Sequence, residues 1–231
     1  MGTVGISPTM NVKIIIVALC AFQLARGSLI DDVLERIERD VNQGRRLIES
    51  AQQRRDALVT QLLDSAKSRI DQELKDLNSR IADRVSDVAD AASRLPDCLE
   101  AQRQNLTDVR DEAVRRIEAV IVNEASVLLP LIGKVNDTVN EGRELLRDTI
   151  SKLKAAEGDW RAIARILASA ARNAERLEVE LRREAREIQR AIGNIPRNVR
   201  AAVEEHIDEA RNRLEDIAKE VEECVRNPPS P

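Results

Sequence analysis

The sequence predicts an all-α protein, folded as an elongated, antiparallel up-down-up bundle of three long amphipathic helices. Composition is the first reason: aromatic residues make up 1% of the 231 residues, and charged residues make up 34%. The chain therefore lacks the large rings that usually fill a compact β or α/β core. Periodicity is the second reason, because apolar residues recur about every 3.6 residues, the period of a straight α-helix. Aliphatic and charged residues in this pattern are typical of long amphipathic helices.

The first predicted helix covers residues 30–95. Ser28 and Asp31 form a capping-box pattern immediately before its apolar stripe. Pro96 is expected to end this helix, because proline has no backbone N–H and disfavours a helical conformation in the residue before it. The apolar spacing over 30–62 is close to a heptad repeat and favours coiled-coil contacts with another helix.

Stop and start signals define the second and third predicted helices. Asp97 and Glu100 form a second cap pattern, which begins the second helix. Gly158 suits the left-handed position that follows a helix, and Asp159 suits the N-cap of the next one. The third predicted helix then covers residues 160–225.

Two prolines lie inside these predicted helices. Pro130 and Pro196 each remove one backbone hydrogen bond and clash with the preceding turn, so each should kink or break its helix. Counted as breaks they divide the chain into five shorter helices, and counted as kinks they leave three long ones. The apolar stripe continues through both prolines and no polar loop cluster precedes either, which favours kinks.

The two cysteines of the predicted helices should meet at one end of the bundle. Short connections make neighbouring helices antiparallel, so the end of the first helix and the end of the third lie together. This arrangement brings Cys98 to Cys224 and predicts a disulfide between them. Two free or intermolecular thiols are the alternative.

Two similar segments each carry a glycine on the apolar stripe. Residues 41–44 read Val-Asn-Gln-Gly, and residues 139–142 read Val-Asn-Glu-Gly. Antiparallel pairing would put Gly44 and Gly142 at one level of the bundle. One interpretation is a close helix crossing. The other is that each glycine only weakens its helix, by about 1 kcal/mol relative to alanine.

The N-terminal segment has the pattern of a secretory signal peptide. Lys13 precedes an apolar run over 14–22, and small residues follow before a cut after residue 27. We therefore predict a signal peptide over 1–27, with Met10 as an alternative start of translation. The apolar run is shorter than the roughly 20 residues of a membrane-spanning helix, so no transmembrane anchor is expected.

Removal of the signal peptide would leave one helical-bundle domain over 28–226 and a disordered tail over 227–231. The predicted location is secreted and extracellular. In such a chain the Asn-x-Thr sequences at Asn105 and Asn136 are candidate glycosylation sites. The formal net charge of the whole chain is −4, with both signs interspersed, which argues against nucleic-acid binding.

The sequence contains no recognisable catalytic, cofactor-binding or metal-binding motif. The single histidine, His206, lies among acidic residues and is interpreted as a surface residue. Glu180, Glu184 and Glu187 alternate with arginines on the third helix and are interpreted as part of a solvated face. We therefore expect no enzyme activity, no cofactor and no metal site.

The pattern resembles two groups of secreted helical proteins. A signal peptide, long helices rich in Ala, Leu, Val and Ile, and the segment Leu-Pro-Asp-Cys at 95–98 resemble secreted insect proteins of the tsetse EP-domain type. That resemblance implies a helical extracellular protein, although a closely spaced second cysteine is absent here. Over 29–225 the amphipathic pattern is also similar to that of the exchangeable apolipoproteins, which implies helices that open on lipid. The chain departs from that group in having no Tyr, little internal proline, and Arg rather than Lys.

Two functional hypotheses follow from these observations. The first is a secreted structural or interaction protein that acts through surface contacts, with an unidentified protein partner or by self-association. The second is a carrier of lipid or another apolar ligand whose bundle opens. Small aliphatic side chains bind lipid interfaces less strongly than aromatic ones, which favours the first.

Overall fold

A computed structural model describes the backbone of residues 9–227 and the side chains of residues 28–227. Over residues 9–227 the chain is helical and contains no strand, which confirms the predicted all-α class. Residues 1–8 and 228–231 lie outside the described residues. The predicted signal peptide and tail fall mainly on these residues and on 9–27, whose side chains are not described. Five helices occupy the described part, namely α1 Thr9–Arg84, α2 Ala91–Ala101, α3 Arg103–Ala125, α4 Leu128–Ala155 and α5 Trp160–Arg226.

The chain divides into two compact units, and α1, α4 and α5 each contribute to both. Unit 1 comprises Met1–Glu49 and Ile132–Arg186, and unit 2 comprises Ser50–Leu131 and Glu187–Pro231. In unit 1, segments of α1, α4 and α5 pack together. In unit 2, α2, α3 and the first turn of α4 join segments of α1 and α5.

The core of unit 1 is aliphatic and involves three helices. Ile37 of α1 packs with Ala170 and Ala174 of α5. Leu145 and Leu146 of α4 are partly buried against the same cluster. Burial of such side chains away from water is the main favourable contribution to packing, at about 25 cal/mol per Å².

In unit 2, ion pairs between α1 and α5 show the relative direction of the two segments. Arg69 pairs with Glu204 across a sequence separation of 135 residues, and Glu73 pairs with Arg211 across a separation of 138. Because the separation stays nearly constant as the residue number rises, the two segments run in the same direction.

The segment α3 runs opposite to α5 within this unit. Arg116 lies 3.0 Å from Glu209, and Arg213 is hydrogen-bonded to Glu112. A step of four residues forward in α3 therefore corresponds to a step of four residues back in α5.

Burial follows the predicted apolar stripes along α1 and α5, and along α3 and α4 it departs from the predicted stripe by one residue at two places. Ile121 and Ile132 are buried, whereas Val120 and Leu131, the positions that the spacing of apolar residues in the sequence favours, are only partly buried. Both members of each pair are aliphatic, so the helical period cannot distinguish them. The neighbouring helices decide which of the two is enclosed. Buried stripe residues of α1 include Ile37, Val41, Ala51, Ala66, Ile70, Leu77 and Ile81.

The predicted end of the first helix at Pro96 is wrong. The helix α1 ends at Arg84, and Asp90 adopts a left-handed conformation with φ 63° before α2 begins. Aspartate tolerates this conformation better than most residues, because its short side chain can bond locally. Pro96 lies inside α2, where the carbonyl left without a helical donor belongs to exposed Ala92 and is accessible to water.

Two predicted helix starts are also wrong. Asp97 and Glu100 lie inside α2 rather than before a new helix, and α3 follows after a single turn residue, Gln102. Ser28 lies within α1, which continues on its N-terminal side.

The two internal prolines behave differently. Pro130 lies in the first turn of α4, after a turn at residues 126–127, so a break replaces the kink predicted there. Proline is tolerated in a first turn because its missing N–H would have no helical acceptor. Pro196 lies inside α5, which continues through it.

The predicted junction at 158–159 is confirmed. Gly158 has φ +88°, a left-handed conformation that glycine adopts without strain. The backbone N–H of Ala162 donates to Asp159 Oδ1 at 3.0 Å, which is the expected N-cap hydrogen bond.

The predicted close crossing at the two glycines is present in unit 1, and it is reciprocal. A Cβ atom at Gly44 would overlap Val139 and lie 3.1 Å from Leu181 Cδ2, and one at Gly142 would lie 2.7 Å from Val41 Cγ2. The two Val-x-x-Gly segments therefore face one another, with each valine against the glycine of the other segment. Close approach at these positions requires that neither residue has a side chain.

We predict that Gly44→Ala and Gly142→Ala each destabilise the protein. Overpacking should cost about 1–3 kcal/mol of unfolding free energy. The higher helix propensity of alanine should offset about 1 kcal/mol of that cost. The opposing valines are almost fully buried and have stiff χ1 angles, so they cannot move aside. Urea unfolding followed by circular dichroism would measure the change.

The matched controls are Gly133→Ala and Gly193→Ala, because an added Cβ at either position meets nothing within 4 Å. These changes should stabilise by up to about 1 kcal/mol through propensity alone. Equal effects at all four glycines would contradict a close crossing.

Candidate interaction surface

The predicted disulfide joins α2 to the last turn of α5 within unit 2. Cys98 and Cys224 are bonded, with a Cα–Cα distance of 5.9 Å across 126 residues of sequence. Cys98 is buried and Cys224 is partly buried. Closure of a loop of this length stabilises the folded chain by about 4–5 kcal/mol in the chain-entropy description.

Arginine side chains cap two helix ends beside this disulfide. Arg226 Nη2 donates to the backbone carbonyl of Arg84 at 3.0 Å, at the end of α1. Arg94 Nη1 donates to the carbonyl of Val225 at 3.3 Å, at the end of α5. Cations are favourable at helix C-termini, where carbonyls lack helical donors. The disulfide and the two caps together hold these ends in place.

Both predicted glycosylation asparagines are exposed. Asn105 lies near the start of α3, and Asn136 lies in α4. Their threonines differ, because Thr107 is exposed whereas Thr138 is 7% exposed and donates to Glu184. In folded unit 1, Asn136 is therefore accessible, whereas the threonine of the same sequence is not. Attachment at either site stays a prediction.

Two acidic side chains are buried in unit 1, and the sequence did not indicate either of them. Glu184 is 6% exposed and accepts a hydrogen bond from Thr138 Oγ1 at 3.0 Å, so its assignment to a solvated face is wrong. Asp40 is 7% exposed, and its Oδ2 has no hydrogen-bond partner among the described residues. Both lie next to stripe residues, where a shift of one position decides between burial and exposure.

The surroundings of Asp40 disfavour its charged form. Burial raises the pKa of the Asp40 carboxyl, and the nearby carboxylate of Glu178 raises it further. Arg36, Arg39 and Arg182 act in the opposite direction without cancelling the effect. The Asp40 carboxylate therefore carries an unfavourable burial cost at neutral pH.

Exposed apolar side chains cluster at the break between α3 and α4. Val122, Val127 and Leu129 are 50%, 42% and 51% exposed. Val122 and Leu129 border a groove that Val59 of α1 also lines. We call Val59, Val122, Val127 and Leu129 the α3–α4 surface. The charge-free segment 125–133 was the signal in the sequence that could have revealed it.

The charges beside the α3–α4 surface form a local pair. Arg55 Nε and Nη2 donate to Asp56 Oδ1 at 2.9 and 2.7 Å. The other residues that line the groove are uncharged, namely Val59, Thr60, Val122, Ala125, Ser126 and Leu129. The groove is therefore neutral overall.

The single histidine, His206, lies in α5, where its side chain is partly buried beside charged residues. His206 Nδ1 lies 3.3 Å from Glu209, which also pairs with Arg116. Within the described residues, no group of three or more His, Cys, Asp or Glu side chains is positioned to hold a metal ion. In the same part of the chain, no helix has the length and apolar character needed to cross a membrane.

Comparisons with known proteins do not place the chain in a family. It matches no protein-family model, no curated protein and no solved structure. The similarities to the tsetse EP-domain type and to the apolipoproteins therefore stay at the level of sequence pattern.

We predict that the double change Cys98→Ser with Cys224→Ser lowers the free energy of unfolding by about 4–5 kcal/mol, because the unfolded chain regains the entropy of an open loop. Thermal unfolding should show the same decrease in wild-type protein treated with a thiol reductant. A double variant as stable as the oxidised wild type would contradict a structural role for this disulfide.

A second prediction concerns pH. Because the folded-state pKa of Asp40 is raised, the folded state binds this proton more tightly, and stability is lost as pH rises above the unfolded value near 3.9. Asp40→Asn should therefore raise the melting temperature at pH 7 relative to wild type, with a smaller difference at pH 3.

The control for this pH effect is Asp32→Asn, on the exposed side of α1 in the same unit. Its difference from wild type should be small at both pH values. An Asp40→Asn variant that is less stable than wild type at pH 7 would show that the carboxylate stabilises unit 1 instead.

Proposed function

We propose that this is a secreted, non-enzymatic helical protein that acts through surface contacts, as an extracellular structural or interaction protein. The observation that supports the proposal is the contrast between the protein's buried and exposed apolar side chains. The apolar stripes of both units pack against other helices of the same chain, whereas Val122 and Leu129 are exposed beside one groove, and Val127 is exposed in the turn between them. Clustered exposed apolar groups on a soluble protein commonly mark a site of contact.

We further propose that each unit is an antiparallel three-helix arrangement of the up-down-up type. The ion pairs and glycine contacts within the units support this order of helices. In this arrangement Pro130 accompanies the break between α3 and α4. Pro196 lies inside the continuous helix α5, where we expect a kink.

The proposed extracellular location rests on two features. The pattern over 1–27 is that of a signal peptide. The Cys98–Cys224 disulfide would persist in an oxidising compartment and is uncommon in the cytosol.

A second candidate function is transport of a small amphiphile. Leu74, Leu99 and Leu106 are partly buried and line an open groove in unit 2 together with Pro96. Arg103 also lines this groove, and its charge would attract an anionic head group. Against this function, Arg103 already pairs with Glu100, and the buried stripes would have to separate before larger ligands could enter.

Flotation with vesicles separates the two candidates. We expect the full chain to remain at the bottom of a density gradient with vesicles of phosphatidylcholine and phosphatidylglycerol, with no shift in the fluorescence of its single tryptophan, Trp160. The reason is that aliphatic stripes without aromatic anchors gain more from packing together than from lipid contact.

An amphipathic helical peptide that floats in the same gradient is the positive control. Flotation of the protein with a blue shift of Trp160 emission would favour the carrier. If Leu106→Glu abolished that flotation, the groove beside Pro96 would be the lipid-binding site.

A further inference from the structure

The two longest charge-free stretches of residues 28–231 meet at the α3–α4 surface. They are 57–63 and 125–133, in a chain of which 34% is charged. Val59 belongs to the first stretch and Leu129 to the second, and the two line the same groove. Segments far apart in sequence therefore combine to make one surface without charge.

The exposed apolar residues of the α3–α4 surface are clustered, whereas those elsewhere in the described residues are isolated. The other exposed large apolar residues are Leu29, near the start of the described side chains, and Val179. Val179 is flanked by Glu178 and Glu180, so it is an isolated apolar residue in a charged environment. Isolated residues of this kind are ordinary, whereas a neutral cluster is not.

The distribution of charge in unit 2 indicates what can bind at the α3–α4 surface. The segments of unit 2 contain 19 Lys and Arg against 25 Asp and Glu, a net charge of −6. Two copies would therefore repel one another over most of this unit. The groove carries only Arg55 and Asp56, which neutralise each other, so repulsion is smallest at this position.

The same pair is self-complementary. Both hydrogen bonds from Arg55 are to Asp56 Oδ1, and the Asp56 side chain is 64% exposed. Across a two-fold axis, the arginine of one copy would face the aspartate of the other, and Oδ2 could accept from it. An interface with identical patches on both sides brings like surfaces together in this way.

We propose that the α3–α4 surface binds a second copy of this chain in a symmetric, two-fold contact. The inference rests on the proposed function and names the surface and the partner. Homodimer interfaces are more apolar than other protein surfaces, and their centres exclude charge, which fits this patch. A lipid surface fits less well, because the patch has no aromatic side chain and its single cation is already paired.

Sedimentation velocity from about 1 to 100 µM tests the proposal, since an interface with a small apolar centre should dissociate in the micromolar range. We expect the full chain to change from monomer to dimer across this range. Leu129→Glu and Val122→Glu should each raise the dissociation constant at least about tenfold, because each places an unpaired carboxylate at the centre of the contact.

The matched control is Val179→Glu, the same chemical change at a residue that is 58% exposed in unit 1. It should dimerise as the wild type does. Circular dichroism should show equal helix content in all variants, because the altered side chains are exposed.

Three results would overturn the proposal. They are a wild-type chain that stays monomeric at every concentration, a Val179→Glu variant impaired as much as Leu129→Glu, and vesicle flotation that Leu129→Glu abolishes. A monomer that also fails to float would remove only this inference and leave the proposed function in place. Flotation would remove the proposed function itself.

Discussion

The helices of each unit are held together by Ala, Val, Ile and Leu, because residues 28–231 contain no Phe, Tyr or Met and one Trp. Small side chains fill only a thin layer, so the helices have to approach closely and remain in contact along their length. The reciprocal valine–glycine contacts of unit 1 are the clearest result of this constraint, since Gly44 and Gly142 allow an approach that alanine would prevent. A core of this kind depends on alignment of the helices more than on any one large residue.

Polar interactions complement this aliphatic packing in two ways. Exposed ion pairs such as Arg69–Glu204 contribute about 0–1 kcal/mol each, but several of them together favour one relative position of the helices in unit 2. The disulfide and the arginine caps act at the helix ends, where backbone carbonyls lack partners. In unit 1 the buried carboxylate of Asp40 opposes stability, so the aliphatic packing around it has to offset its burial cost.

The break between α3 and α4 links the fold to its proposed role. A proline in the first turn of α4 starts a new helix, and the turn at 126–127 interrupts the regular alternation of buried and exposed positions. Leu128 is still buried, whereas Val127 and Leu129 on either side of it are exposed. Exposure of aliphatic residues to water is unfavourable in free energy for an isolated molecule. Their burial against a partner is favourable. This balance is why we assign the contact to the α3–α4 surface.

Local chemistry in the sequence determined the helical class, the apolar stripes of α1 and α5, the junction at Gly158 and Asp159, and the pairing of Cys98 with Cys224. The helical class and the stripes follow from the period of apolar residues, and the junction follows from the backbone preferences of glycine and aspartate. The cysteine pairing was expected from short connections that bring helix ends together. Only the tertiary structure decided the end of α1 at Arg84 and the helical position of Pro96. It also decided which aliphatic residue of each neighbouring pair is enclosed and which acids are buried. These outcomes depend on the side chains of other helices, and a period of about 3.6 residues cannot distinguish positions that differ by a single residue.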